Sequence, residues 1–90
     1  MNAFVYILYF PKSDKYYIGS TIDLARRIKQ HRSGYTPSTV RLGDECILKF
    51  SQEFSSIKIA RKLENKLKSW KRKDFIEKII KDGYIKSVDT

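Results

Sequence analysis

The stretch FVYILYF, residues 4–10, runs apolar through both parities. A half-buried strand alternates apolar with polar residues, so a run without alternation reads as a strand covered on both faces. Ninety residues form one domain and bury one modest core. Any functional site must therefore share its elements with that core. The run is expected to be a strand and not the apolar region of a signal peptide, because no basic segment precedes it in this sequence and β-branched and aromatic residues dominate it. It is also far short of the roughly 20 apolar residues needed to cross a bilayer.

The rest of the chain supplies partners for that strand. PKSDK at 11–15 provides turn-formers, and residues 15–20 read as a second strand, giving a hairpin whose register the loop does not fix. Thr21 or Asp23 can cap a first helix over about 23–33, which Gly34 would stop. Residues 34–45 are rich in turn-formers and read as a loop. A third strand is expected over about 46–53, with Ile47, Lys49 and Ser51 alternating against Leu48, Phe50 and Gln52. Ser55 or Ser56 begins a long helix whose apolar stripe is Ile59, Ala60, Leu63, Leu67 and Trp70. A last helix, about 74–82, is expected to be capped by Asp74 and stopped by Gly83. Residues 1–83 then make one domain and 84–90 a tail.

Charge narrows the partner. Lysine and arginine number 19 against 10 acidic residues, a net charge of +9, and the isoelectric point is near 9.8. Such a balance favours a polyanion, with nucleic acid the commonest. An anionic membrane would call for a basic helix with a wide exposed apolar face, or a lipid anchor, and neither is evident. Cys46 is the one cysteine, so no internal disulfide can form, and a reducing, cytoplasmic setting is expected.

A few residues stand out against this background. On the first helix Leu24, Ala25 and Ile28 form the inward stripe, and Arg27 and His31 project together on its flank, one turn apart. Arg26, Lys29 and Arg32 make the helix basic almost all round, so a solvated basic flank remains as open a reading as a site. Glu64 falls inside or at the edge of the apolar arc of the long helix, where a carboxylate needs a cation, a metal or hydrogen bonds. Lys68, four residues on, offers an ordinary ion pair; a metal ligand is the alternative. Tyr6, Tyr9, Tyr16 and Tyr17 suit strands for packing reasons alone. Gly19 weakens a strand interior, so it marks a bulge or the close approach of a backbone or ligand, such as a phosphate.

Taken together, FVY at 4–6, YIG at 17–19, Arg27 and His31 in RRIKQH, and Glu64 in ARKLENKLKSW resemble the GIY-YIG nuclease family, most of all its small single-domain bacterial branch. The resemblance covers about residues 4–80. It implies an α+β fold, a small antiparallel three-stranded sheet flanked by helices, and a metal-dependent endonuclease hydrolysing nucleic-acid phosphodiesters, DNA foremost. By the resemblance Tyr6 and Tyr17 would face the scissile phosphate from adjacent strands, and Arg27 would stabilise the phosphoryl transition state. His31 would orient or activate the nucleophile, and Glu64 would be the single acidic ligand of a divalent ion. Gly19, Arg41 and Lys68 are the candidates for substrate contact.

The chemistry is coherent with that assignment. Phosphodiester hydrolysis needs an activated water, a stabiliser for charge on the phosphoryl oxygens and help for the leaving alkoxide. One carboxylate completed by waters and phosphate is how Mg²⁺ or Mn²⁺ is held, whereas one cysteine and one distant histidine make no zinc site. A tyrosine titrates near about 10, so Tyr6 or Tyr17 serves as a base only if a neighbouring cation lowers its pKa or a proton is relayed to His31. Two departures stand beside the match. Phe4 and Val5 replace the glycine and isoleucine of the first tripeptide, and the only asparagines, Asn2 and Asn65, do not stand where some branches use one after the glutamate.

Two other functions fit the composition. One is a nucleic-acid-binding module on the same fold with little or no catalysis; the other is a basic domain for an acidic protein. No zinc finger, helix-turn-helix or aromatic RNA-binding motif is present, so low sequence preference is expected. A domain this small contacts few base pairs, and a protein partner or a second copy would extend its grip.

Overall fold

The computed structural model describes residues 2–32, 45–70 and 73–85. Its elements run β1 (Ala3–Phe10), β2 (Lys15–Thr21), α1 (Leu24–Arg32), β3 (Ile47–Phe54), α2 (Ile57–Trp70) and α3 (Lys73–Asp82). The three strands form one antiparallel sheet in the order β2-β1-β3. The α+β fold implied by the sequence is the one observed.

Because β1 is the central strand, its two faces feed two apolar clusters. Ala3, Val5 and Ile7 join Ile18, Phe50 and Phe54 beneath Ala60, Leu63 and Leu67 of α2, with Ile76, Ile79 and Ile80 of α3 packed against them. Tyr6, Leu8 and Phe10 face the other way, against Cys46, Tyr17, Leu48 and the α1 residues Leu24 and Ile28. So α2 and α3 cover one side of the sheet and α1 the other. The absence of alternation in residues 4–10 is the direct consequence.

The β1–β2 register pairs Phe10 with Lys15 and Tyr6 with Gly19. Residues 11–14 make the turn, with Asp14 at φ 53°, a left-handed conformation that aspartate tolerates better than most residues. Asp14 then accepts from Tyr9 Oη at 2.8 Å and from Lys73 Nζ at 2.7 Å, tying the hairpin to the start of α3. Between β1 and β3 the register shifts at Ile7/Leu8, where Phe50 pairs with Ile7 and Leu48 with Leu8. That irregularity lets two residues of equal parity, Leu48 and Phe50, serve opposite faces.

Helix termini follow elementary capping. Asp23 Oδ1 accepts from Arg26 N at 3.2 Å, and Ser56 Oγ accepts from Ile59 N at 3.3 Å. Helix α3 starts at Lys73, so Asp74 sits in its first turn instead of capping it, still well placed for the helix dipole. Gly83, at φ 81°, ends α3 by donating its N–H to Ile79 O at 2.9 Å. Ile85, inside the segment read as a tail, is buried and donates its N–H to Gln52 Oε1 at 2.7 Å.

Helix α1 is rotated from its expected orientation. Ala25 is exposed, and the inner positions are Leu24 and Ile28, both half-buried, with His31 fully buried. An alanine methyl adds little to burial. A histidine that meets a buried hydroxyl adds a hydrogen bond, and the helix turns that residue inward. The expected stop at Gly34, the 34–45 loop before Glu45, and the Trp70 side chain lie outside the described residues. Cys46 is a buried free thiol. Among the described residues, no helix is long and apolar enough to cross a membrane.

Candidate active site

Tyr6 and His31 form the centre of the site. Tyr6, from the middle strand, and His31, from α1, are each 1% exposed, and Tyr6 Oη lies 2.9 Å from His31 Nε2. Burial, with the Arg27 guanidinium adding to it, pushes the histidine pKa down to about 4. The imidazole is therefore neutral near pH 7. Burial and the neighbouring Tyr17 push the Tyr6 phenol well above the ordinary tyrosine range, against the pull of Arg27, so it keeps its proton. The pair is a neutral hydrogen bond between two buried rings.

Gly19 explains how the phenol fits. It is the cross-strand partner of Tyr6. A Cβ there would overlap Tyr6 Oη and Cζ and lie 3.0 Å from Tyr17 Cε2. The space left by the missing side chain is thus taken by the chain's own tyrosine. This corrects the reading of Gly19 as an opening for phosphate: the close approach is real, but what approaches is Tyr6.

Tyr17 completes an aromatic cluster. Its ring centroid is 5.0 Å from that of His31 and 6.3 Å from that of Tyr6. It is half-buried, on the edge strand, and so the more accessible of the two tyrosines. Arg27, one turn before His31, is also half-buried and donates from Nη1 to Gln30 Oε1 at 3.4 Å. It lies close enough to act electrostatically on both Tyr6 and His31.

Glu64 approaches from the opposite layer. Its Oε1 accepts from Ser20 Oγ, and its Oε2 pairs with Lys68 Nζ at 2.7 Å, with side-chain exposures of 17% for the glutamate and 46% for the lysine. Lys68 Nζ also stands 5.4 Å from the centre of the Tyr17 ring. Ser20 and Gly19 are neighbours on β2 but face opposite sides of the sheet. The glutamate is thereby linked, through its lysine, to the aromatic cluster around the edge of β2.

The structure therefore brings Tyr6, Tyr17, His31 and Arg27 together and connects Glu64 to them by way of Lys68. Arg41 lies outside the described residues. Sequence reasoning missed Ser20, for which a lone serine in a strand gives no signal, and left open whether Tyr6 or Tyr17 would meet His31. Among the described residues no group of three or more histidine, cysteine, aspartate and glutamate side chains is placed to hold a metal. The donor set fits a hard, largely hydrated ion such as Mg²⁺ or Mn²⁺ on a single carboxylate, and not zinc. The Lys68 ammonium on Oε2 shows that this carboxylate already receives a cation.

Comparison with known proteins bears on the fold as a whole. Residues 2–79 match the GIY-YIG catalytic domain. Among solved structures the chain is similar to the solution NMR structure of a UPF0213 protein from Bacillus halodurans, with a TM-score of 0.58 and 32% identity over 92% of this chain and 87% of that one. No curated protein matches the chain.

Proposed function

The chain belongs to the GIY-YIG family, and from that membership we propose that it is a metal-dependent endonuclease cutting nucleic-acid phosphodiesters, DNA foremost, with low sequence preference. The observation that carries the reading is the meeting of Tyr6, Tyr17 and His31 on one face of the sheet with Arg27 beside them, and the Glu64 carboxylate reaching the adjoining edge strand through Ser20 and Lys68. The net charge of +9 supplies phosphate contacts without sequence readout.

The residues divide the work by environment. Arg27, a permanent cation, neutralises charge growing on the phosphoryl oxygens. His31 is buried and bonded to Tyr6, and with its pKa near 4 it is a weak base. That leaves Tyr17, half-buried at the mouth of the cluster, to orient the attacking water through its hydroxyl. The Tyr6–His31 pair holds the wall against which Tyr17 rests. Glu64, steadied by Ser20, would hold the divalent ion. Bound there, the ion would supply Lewis-acid charge at the phosphate.

One observation favours a second reading, in which the domain binds nucleic acid without cutting it. Both Glu64 oxygens already have partners, Ser20 and Lys68. A supercoiled-plasmid nicking assay with Mg²⁺ or Mn²⁺ separates the two. Endonuclease action predicts nicking by the wild type, at least 100-fold loss in Tyr17→Phe, Arg27→Ala and Glu64→Gln by the usual size of such effects (~10²–10³), and retained DNA affinity in Glu64→Gln. Binding without metal-dependent nicking in every variant, the wild type included, would establish the second reading.

A further inference from the structure

Lys68 sits between two groups that the reaction would use separately. Its ammonium is 2.7 Å from Glu64 Oε2 and 5.4 Å from the centre of the Tyr17 ring. Oε1 of the same glutamate is held by the Ser20 hydroxyl. Oε2 is the oxygen that Lys68 covers, so a cation binding there must displace the ammonium. A divalent ion and an ammonium cannot share that oxygen without strong repulsion.

The lysine has somewhere to go. It is half-exposed on a flexible four-carbon stem, and its compact charge can be redirected by rotamer changes alone. Beside it lies a cavity of about 220 Å³ lined by Tyr16, Tyr17, Ile18, Leu67, Lys68 and Ile76. Even while paired, the ammonium stands 5.4 Å from the centre of the Tyr17 ring, at the edge of β2 where the two layers meet.

We propose that Lys68 is an exchangeable counter-ion: it neutralises Glu64 while no metal is bound, and is released to the substrate phosphate when a divalent cation takes its place. Cation and nucleic acid then bind cooperatively, and because linkage is reciprocal, each tightens the other. The proposal rests on the reading of Glu64 as the metal ligand. It adds that the same helix carries the device coupling metal to substrate.

Calcium, a divalent probe, and a short DNA duplex test this on the full chain, by calorimetry for the cation and fluorescence anisotropy for the duplex. Without DNA, Lys68→Met and Lys68→Gln should bind Ca²⁺ roughly 1.5- to five-fold tighter than wild type, because the competing ammonium is gone. The factor by which Ca²⁺ raises DNA affinity should be smaller in both variants than in wild type. Unchanged or weaker Ca²⁺ binding in the Lys68 variants, alongside loss of Ca²⁺ binding in Glu64→Gln, overturns the exchange and leaves the metal site standing. If Glu64→Gln binds Ca²⁺ as wild type does, or wild type binds none, the metal reading fails and the exchange fails with it.

Discussion

Replacing Gly19 by alanine distinguishes a glycine that admits a ligand from one that admits a side chain. The new methyl would overlap the Tyr6 hydroxyl and the ring carbon bearing it, and Tyr6 is 1% exposed, hydrogen-bonded to His31 and packed with Leu8, Phe10 and Cys46. Overpacking of this kind costs about 1–3 kcal/mol. Displacing the hydroxyl also weakens a buried hydrogen bond worth about 0.5–1.5 kcal/mol. Against these, alanine in a strand recovers about 0.5–1 kcal/mol of backbone entropy relative to glycine. The net loss is about 2 kcal/mol, which in a domain of this size lowers the melting temperature by about 8–16 °C. Thermal unfolding followed by far-UV circular dichroism measures it. Removing the ring should remove most of the clash, so Gly19→Ala added to Tyr6→Leu should cost at least about 1 kcal/mol less than Gly19→Ala alone. A Gly19→Ala protein that melts within a few degrees of wild type but loses DNA affinity would refute the packing argument and restore the ligand reading.

The depressed pKa of His31 makes stability depend on pH. Its value falls from 6.5 in the unfolded chain to about 4 in the fold, so between those values the unfolded state binds more protons and stability declines as pH drops. The loss from this group approaches about 3 kcal/mol by pH 4. Urea denaturation at pH 7 and pH 4.5 should show a smaller difference for His31→Gln than for wild type, since the comparison cancels the carboxylates common to both; equal differences would count against the depressed value. Gly83 poses the opposite problem from Gly19, because an added Cβ meets nothing within 4 Å but φ is 81°. Gly83→Ala should cost about 1–2 kcal/mol through backbone strain alone and Gly83→Asn less, with urea midpoints as the measure.

The unalternating run at residues 4–10 was legible as a doubly covered strand because apolar residues on both faces leave few other structures for it. The GIY-YIG resemblance was equally legible, since its tyrosines, arginine, histidine and glutamate occur in order, each on a recognisable element. The orientation of α1 was not. Periodicity scores histidine as an outward residue, and only the sheet reveals that a buried tyrosine hydroxyl on β1 waits for a partner where His31 falls. Gly19 was flagged by its residue type, yet glycine reports that something comes close and not what. Ser20 and Glu64 are 44 residues apart, beyond any local signal. These misses have one physical origin. In the described structure β2 pairs only with β1, so its outer edge is the line along which the α1 layer and the α2 layer can meet. Tyr17 and Gly19 face one layer and Ser20 the other, which lets one short strand offer an aromatic wall to one side and a carboxylate anchor to the other. A strand in the middle of the sheet would keep those groups a full layer apart, and the chemistry proposed here depends on β2 remaining an edge.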